Sequence, residues 1–282
     1  MLYIDYFSPT GGVKNLVFAK AKQLRSENDN GSVIYRSFNK PKDRDHNNLS
    51  FLKEDCLILG LPVYAGRIPN LLLEYLSSYS GHQTPIYLVF GYGNRHFDDA
   101  PKEAYRLFKE NGFVIKEIIC AVCEHSFSSL LAKDEPSRET LDIISKVNFS
   151  RRLDLARTLA SNVNNNKVEI LELNRLDDQT ELMPYYRPVD ANGIPFNFIK
   201  IKPVTGSTCI ACGMCASMCP MDAISTTDFK LVTGKCIKCC ACVKGCPVGA
   251  KAFNDENFLK HKCELEESLK NINHPITIFT KN

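Results

Sequence analysis

The sequence predicts an α/β chain: a doubly wound, five-stranded parallel sheet, followed by a small α+β domain built around cysteine. Three observations carry this. Short apolar runs alternate with helical periods over residues 1–165. A polar and then proline-punctuated stretch interrupts that alternation up to Pro203. Nine of the chain's 13 cysteines then fall within residues 209–246.

The five expected strands are Leu2–Phe7, Ser32–Phe38, Cys56–Pro62, Pro85–Phe90 and Phe113–Val122. They are rich in Val, Ile, Leu, Tyr and Phe, as strands buried on both faces should be. Val13, Leu16, Val17, Ala21 and Leu24 mark one helical stripe, and Ile68, Leu71, Leu72, Tyr75 and Leu76 another. A third helix follows Asp98-Asp99, with Pro101 in its first turn and Gly112 past its end. A fourth, long and charged, runs from about Arg138 to Ala160, its charges read as a solvated face. Only Asn39–Asp55 lacks a helical signal. Strands joined by crossovers imply a doubly wound parallel sheet.

The expected division is a sheet domain over 1–165, a linker over 166–202, a cysteine domain over 203–254, and a C-terminal helix and tail over 255–282. The linker, punctuated by Pro184, Pro188 and Pro195, is expected to wrap a surface, because Tyr185, Tyr186, Phe196 and Phe198 seek burial. At 282 residues the length suits two domains. Apolar residues make up 44% and charged residues 24%, with a net charge of +3, so neither a nucleic-acid tail nor a basic membrane patch is expected. No stretch approaches the roughly 20 apolar residues of a membrane span. The opening Met1–Phe7 reads as a strand with no charged leader, so a cytoplasmic location is expected.

In a long chain without an export signal, such cysteine density points to metal or cluster ligation before disulfides. Cys209-x2-Cys212-x2-Cys215-x3-Cys219-Pro220 recurs as Cys236-x2-Cys239-x2-Cys242-x3-Cys246-Pro247, offset by 27 residues. The triplet spacing wraps one tight loop around three irons of a cubane, and the fourth cysteine lies too far round to close the same cube. In the bacterial two-cluster pattern it ligates the other cluster. Cluster 1 then takes Cys209, Cys212, Cys215 and Cys246, and cluster 2 takes Cys236, Cys239, Cys242 and Cys219. Zinc sites use C-x2-C pairs split by a spacer, and neither run has that form. The region resembles bacterial two-[4Fe-4S] ferredoxins along its length. Cys240 breaks the usual run and reads as a small packed residue. Five lysines against Asp222 and Asp228 leave residues 203–254 at net +3, either offsetting cluster charge or solvating the surface.

Ligands of doubly wound sheets sit beyond the strand carboxyl ends, at the switch point. After the first strand, Ser8-Pro-Thr10-Gly11-Gly12 opens a helix, which suits a phosphate cradle; it is neither a Walker loop nor G-x-G-x-x-G. After the third, Gly60-Leu-Pro-Val-Tyr64-Ala-Gly66 offers an aromatic for a flat ring. After the fourth come Gly91, Tyr92, Gly93, Asn94 and Arg95.

With the cysteine runs, Phe7–Gly12, Pro62–Arg67 and Tyr92–Arg95 followed by Asp98-Asp-Ala100 make the chain similar to flavodoxin–ferredoxin fusions, sometimes called ferrodoxins. The resemblance implies a flavodoxin-like FMN domain fused to a two-cluster ferredoxin. By matching positions, Ser8, Thr10, Gly11 and Gly12 would hold the phosphate. Pro62, Tyr64, Ala65 and Gly66 would flank the isoalloxazine, with Gly91, Tyr92, Gly93 and Asn94 on its other side. Val13 stands where the family pattern often has Thr.

His125, after the fifth strand, has three readings: a proton shuttle, a contact to the cysteine domain, or a hydrogen-bonded strand-end histidine. Cys120 and Cys123 read as core thiols, and Cys56 and Cys263 as structural. The expected function is an iron–sulfur flavoprotein passing electrons between two [4Fe-4S] clusters and FMN, then to a redox partner protein or small acceptor. The alternatives are a pure electron-transfer module and a redox sensor. No nicotinamide fingerprint is present.

Overall fold

The computed structural model describes residues 1–27, 31–45, 49–146, 167–189, 193–195 and 197–281. The expected Arg138–Ala160 helix is described to Lys146; its remainder, residues 162–166 and Phe196 lie outside the described residues.

In chain order the elements are β1 (Leu2–Tyr6), α1 (Gly12–Glu27), β2 (Val33–Ser37), β3 (Leu49–Phe51), β4 (Cys56–Pro62), α2 (Leu73–Ser77), β5 (Tyr79–Gly81) and β6 (Thr84–Tyr92). They continue with α3 (Ala100–Glu110), β7 (Phe113–Val122), α4 (Arg138–Lys146), β8 (Val168–Glu172), β9 (Val204–Thr205), α5 (Met214–Ser217), α6 (Ala241–Lys244), β10 (Lys251–Ala252), α7 (Glu256–Leu269) and β11 (Ile276–Thr280). The Asn39–Asp55 connection holds a 3-10 turn at Pro41–Arg44 and β3, which pairs with β5.

Five parallel strands stand in the order β2-β1-β4-β6-β7, the flavodoxin-like arrangement with its switch point between β1 and β4. The sheet has seven strands, two more than expected: β11 pairs antiparallel with β7, and β8 pairs parallel with β11 at the edge. The stretch read as linker therefore starts inside the sheet, and the tail closes it. Both runs are too short to declare themselves alone, and register with β7 is what makes them strands.

Alternation along each strand feeds two cores. Leu57, Leu59, Leu61, Leu88, Phe90 and Ile118 pack towards α2 and α3, whereas Ile4, Ile58, Val89 and Ile119 pack towards α1 and α4. The β6–β7 register skips Lys116, passing from Ile86–Ile115 to Tyr87–Glu117. This bulge reverses the parity of β7, turning Glu117 onto the α1 face. There both its oxygens accept from Lys20 Nζ at 3.0 and 3.1 Å, with both side chains fully buried. Lys20→Met takes from buried Glu117 the cation that serves both its oxygens, so it is expected to cost about 3–5 kcal/mol. Lys20→Met/Glu117→Leu should recover most of it, read as the urea midpoint of each variant; equal losses in single and double variants would contradict the pairing.

Candidate functional site

The cysteine domain is a twofold repeat down to its backbone angles. Left-handed residues Ala211, Gly213 and Asp222 recur 27 positions on as Lys238, Cys240 and Gly249. The one-turn helix α5 recurs as α6. Cys219 Sγ accepts from the Ala223 N–H at 3.4 Å, and Cys246 Sγ from the Ala250 N–H at 3.1 Å. Burial raises the pKa of the half-buried Cys246 thiol, but the backbone N–H groups of Val248–Lys251 outweigh it and draw the thiol below its ordinary pKa. Cys240 occupies the position of Gly213, N-capping α6 in the left-handed region at φ 58°. Its side chain is buried among Ile201, Phe253 and Phe258, with Cys236 packed against them.

Cys219, Cys236, Cys239, Cys240 and Cys242 line one small cavity with Ile224, Ile237 and Phe253. Burial pushes the Cys239 and Cys242 thiols up to about 12, and Cys219 adds to the rise at both and at Cys236. Five thiols massed in apolar surroundings favour a ligand that takes several of them up as thiolates. Among the described residues no three His, Cys, Asp or Glu gather tightly enough for a single metal ion. A cubane, with its thiolates spread around a cube, is a different demand.

This half of the cysteine domain faces the sheet. Lys40 Nζ donates to the carbonyls of Ala216 and Cys219 at 3.2 and 2.9 Å and pairs with Asp222. Arg44 donates to Pro220 O at 2.9 Å. Lys244 pairs with Glu124 at 2.6 Å and donates to His125 O at 2.8 Å. Ile237 packs against the sheet's own core.

Between the two lies a cavity of about 380 Å³, within the range of small-ligand sites. Tyr64, Ala65, Gly66, Gly93, Arg95 and His125 line its sheet side, and Cys236, Ile237 and Lys238 its cysteine side. Burial raises the Tyr64 phenol well above its ordinary pKa, with the thiols of Cys239 and Cys240 adding to the rise. The third wall was not foreseen. Tyr185, Tyr186, Phe198 and His261 close the cavity. Tyr186 N–H donates to Ala65 O at 3.0 Å, and its ring lies between the Arg95 guanidinium, 4.9 Å away, and His261, 5.9 Å away. Arg67, held by Glu103 at 2.6 Å, donates to Met183 O at 2.7 Å, tying this strap over the β4 loop. The aromatics of 185–198 signalled burial in sequence, but their partner was not legible; His261 gave no signal.

The remaining candidates sit elsewhere. Pro62 and Tyr92 are buried; Tyr92 packs edge-on against Phe97. A Cβ on Gly91 would lie 2.7 Å from Cys123 Sγ and 2.8 Å from Val13 Cγ2, and one on Gly12 would lie 3.0 Å from Cys123 Sγ, so both serve close packing around that thiol. Asn94 donates to Ile272 O at 2.9 Å, holding the chain just past α7. The Ser8–Gly12 turn does not line the cavity. Ser8 Oγ accepts from Lys14 N at 3.0 Å, leaving the Gly12 and Val13 amides at the start of a 16-residue helix without intrahelical acceptors. That is the donor set a phosphate needs. A second cavity, of about 1150 Å³, shares Asn94 with the predicted ring loop but is lined by no cysteine. The smaller cavity, lined from both the sheet and the cysteine side, is the candidate site.

His125 Nδ1 accepts from Phe127 N–H at 3.1 Å, so its proton sits on Nε2. Burial, then the positive charges of Lys244, His261 and Arg95, depress its pKa to about 4, and the imidazole is neutral at pH 7. Below its ordinary pKa of 6.5 the unfolded chain takes a proton that the fold refuses. Stability is therefore expected to fall as pH drops from 6.5 towards 4, and His125→Gln to flatten that slope in thermal melts. An unchanged slope would contradict the depressed pKa.

Residues 204–225 match the 4Fe-4S binding domain family. Three solved structures similar to this chain are flavodoxins. One, from the domain Archaea, is 16% identical and covers 51% of this chain and 90% of its own, with a TM-score of 0.36. One from Streptococcus pneumoniae TIGR4 is 18% identical, covering 51% and 94%, at 0.35. The two-electron reduced flavodoxin of Megasphaera elsdenii is 13% identical, covering 51% and 96%, at 0.35. Among curated proteins there is no match. No described helix is long and apolar enough to cross a membrane.

Proposed function

We propose that this chain is an iron–sulfur flavoprotein in which two [4Fe-4S] clusters exchange electrons with an FMN, which passes them to a small acceptor. One observation carries the reading: Cys236–Lys238 and the β4 and β6 loops are opposite walls of a single cavity. Cluster 2 would be held by Cys236, Cys239, Cys242 and Cys219, and cluster 1 by Cys209, Cys212, Cys215 and Cys246. The Gly12 and Val13 amides at the start of α1 would receive the phosphate; Tyr64, Ala65, Gly66 and Gly93 would border the ring. When bound, the flavin exchanges two electrons and the clusters one each. The fold supplies contact between them, since fusion replaces encounter by proximity.

The strap favours a small acceptor over a protein docking at an open flavin edge. Tyr186, Arg95, His125 and His261 lie on that cavity, so the ring's exposed side would meet side chains that orient or hydrogen-bond a small molecule. Neutral His125 offers its Nε2–H there as a donor.

Anaerobic purification with iron, sulfide and flavin assays tests this. About eight irons and one FMN per chain are expected. Fewer irons in protein handled without oxygen would remove the two-cluster claim, and failure to take up added FMN would remove the relay.

A further inference from the structure

The twofold repeat gives the cysteine domain two equivalent faces, and the described residues of the chain cover only one. On the covered face Pro220, Lys238 and Cys239 are buried, and Ile237 packs on the sheet core. Their equivalents 27 positions away, Pro247, Ala211, Cys212 and Ile210, are all exposed. Ile210 is 63% exposed, where Ile237 fills an interface. Met214 and Val248 extend the patch, at 44% and 40% exposure. An apolar cluster rim left in water marks an interaction surface. Its internal equivalent shows what covers such a rim: the aromatic β4 loop, whose Tyr64 lines one cavity with Cys236 and Ile237.

From this we infer that the face formed by Ile210, Cys212, Met214 and Val248 is the docking port of a separate one-electron carrier protein. The inference rests on the proposed pair of clusters, with cluster 1 as the port and cluster 2 as the inner neighbour of the flavin. Charge selects the occupant. No charged residue occurs from Pro203 to Met221 or from Gly245 to Ala250. The partner therefore meets the port through an apolar, uncharged edge of its own cofactor loop, in a small transient contact. In each encounter the carrier loses one electron and cluster 1 gains one; two encounters and two protons from solvent account for one reduced FMN.

The probe is a reduced bacterial two-cluster ferredoxin, compared with reduced methyl viologen, which needs no docking. Ile210→Lys and Val248→Asp are expected to slow reduction by ferredoxin about tenfold or more. They should leave the viologen rate and iron content unchanged, and weaken binding of oxidised ferredoxin by a similar factor in calorimetry. Leu52→Asp, on an exposed site of the sheet domain, should change none of these. The wild-type rate should vary little between about 0.05 and about 0.5 M salt.

Equal ferredoxin rates or affinities in wild type and both port variants overturn the port. So does a wild-type dimer that Ile210→Lys dissociates, which makes the face a self-interface, and so does loss of iron in both variants. If only Ile210→Lys loses iron, Val248→Asp decides. Failure of the relay reads differently: viologen then leaves the flavin of the wild type oxidised.

Discussion

Cys219→Ala is expected to cut the path to the flavin while leaving the outer cluster in place. Iron should fall from about eight to about four per chain, and electrons from a protein carrier should no longer reach FMN. The cause is placement: Cys219 belongs by sequence to the first run, yet its sulfur shares a cavity with Cys236, Cys239 and Cys242. A double variant separates crossed from in-sequence ligation. Under crossed ligation Cys219→Ala/Cys236→Ala strikes one cluster twice and still retains about four irons. In-sequence ligation loses both clusters and leaves none. Cys209→Ala/Cys219→Ala gives the mirror result: no iron under crossed ligation, about four under in-sequence. Iron assays with spectra of the reduced protein read both pairs.

Truncation before Ile276 is expected to abolish cooperative folding of the sheet domain. Ile276, Ile278 and Phe279 are buried in β11, and at roughly 1.5–3 kcal/mol each their loss approaches the whole stability of a domain. Deletion also strips β8 of β11, its only neighbour among the described residues, and bares the β7 edge, an invitation to aggregation. Phe279→Ala is the graded test, costing about 3–5 kcal/mol. A truncated chain that stays soluble and melts as a single transition near the wild-type temperature would show the tail to be dispensable.

The two results bear on where reading a sequence stops. Five strands and their order follow from period and crossover rules, because Cys56–Pro62 or Phe113–Val122 bury both faces and so repeat apolar residues over a length no surface loop tolerates. Val168–Glu172 and Ile276–Thr280 carry the same residue types over five positions each. Only the open edge of β7, more than 150 residues from the tail in sequence, pairs them as strands.

The site divides the same way. Ligand spacing is local: three cysteines at intervals of three and a following proline specify a cluster loop wherever the chain carries it, so all eight candidate ligands were legible in sequence. So was the Gly-rich turn after β1, since a phosphate cradle is made of backbone at a helix start. Which glycine faces a ring and which faces a helix is not local. Gly91 is set by Val13 and Cys123, and Asn94 by the end of α7, contacts that exist only once distant segments meet.

Sequence by itself therefore determined the flavodoxin-like sheet and the spacing of two repeated cysteine runs. Tertiary structure alone decided what each run packs against. It turned Cys219 and Cys236–Cys242 towards the sheet and left Ile210 and Cys212 to solvent. It brought Tyr186 and His261 over the cavity as a wall. The physical reason is that the two halves of a repeat are equal in sequence and become unequal only through what each packs against.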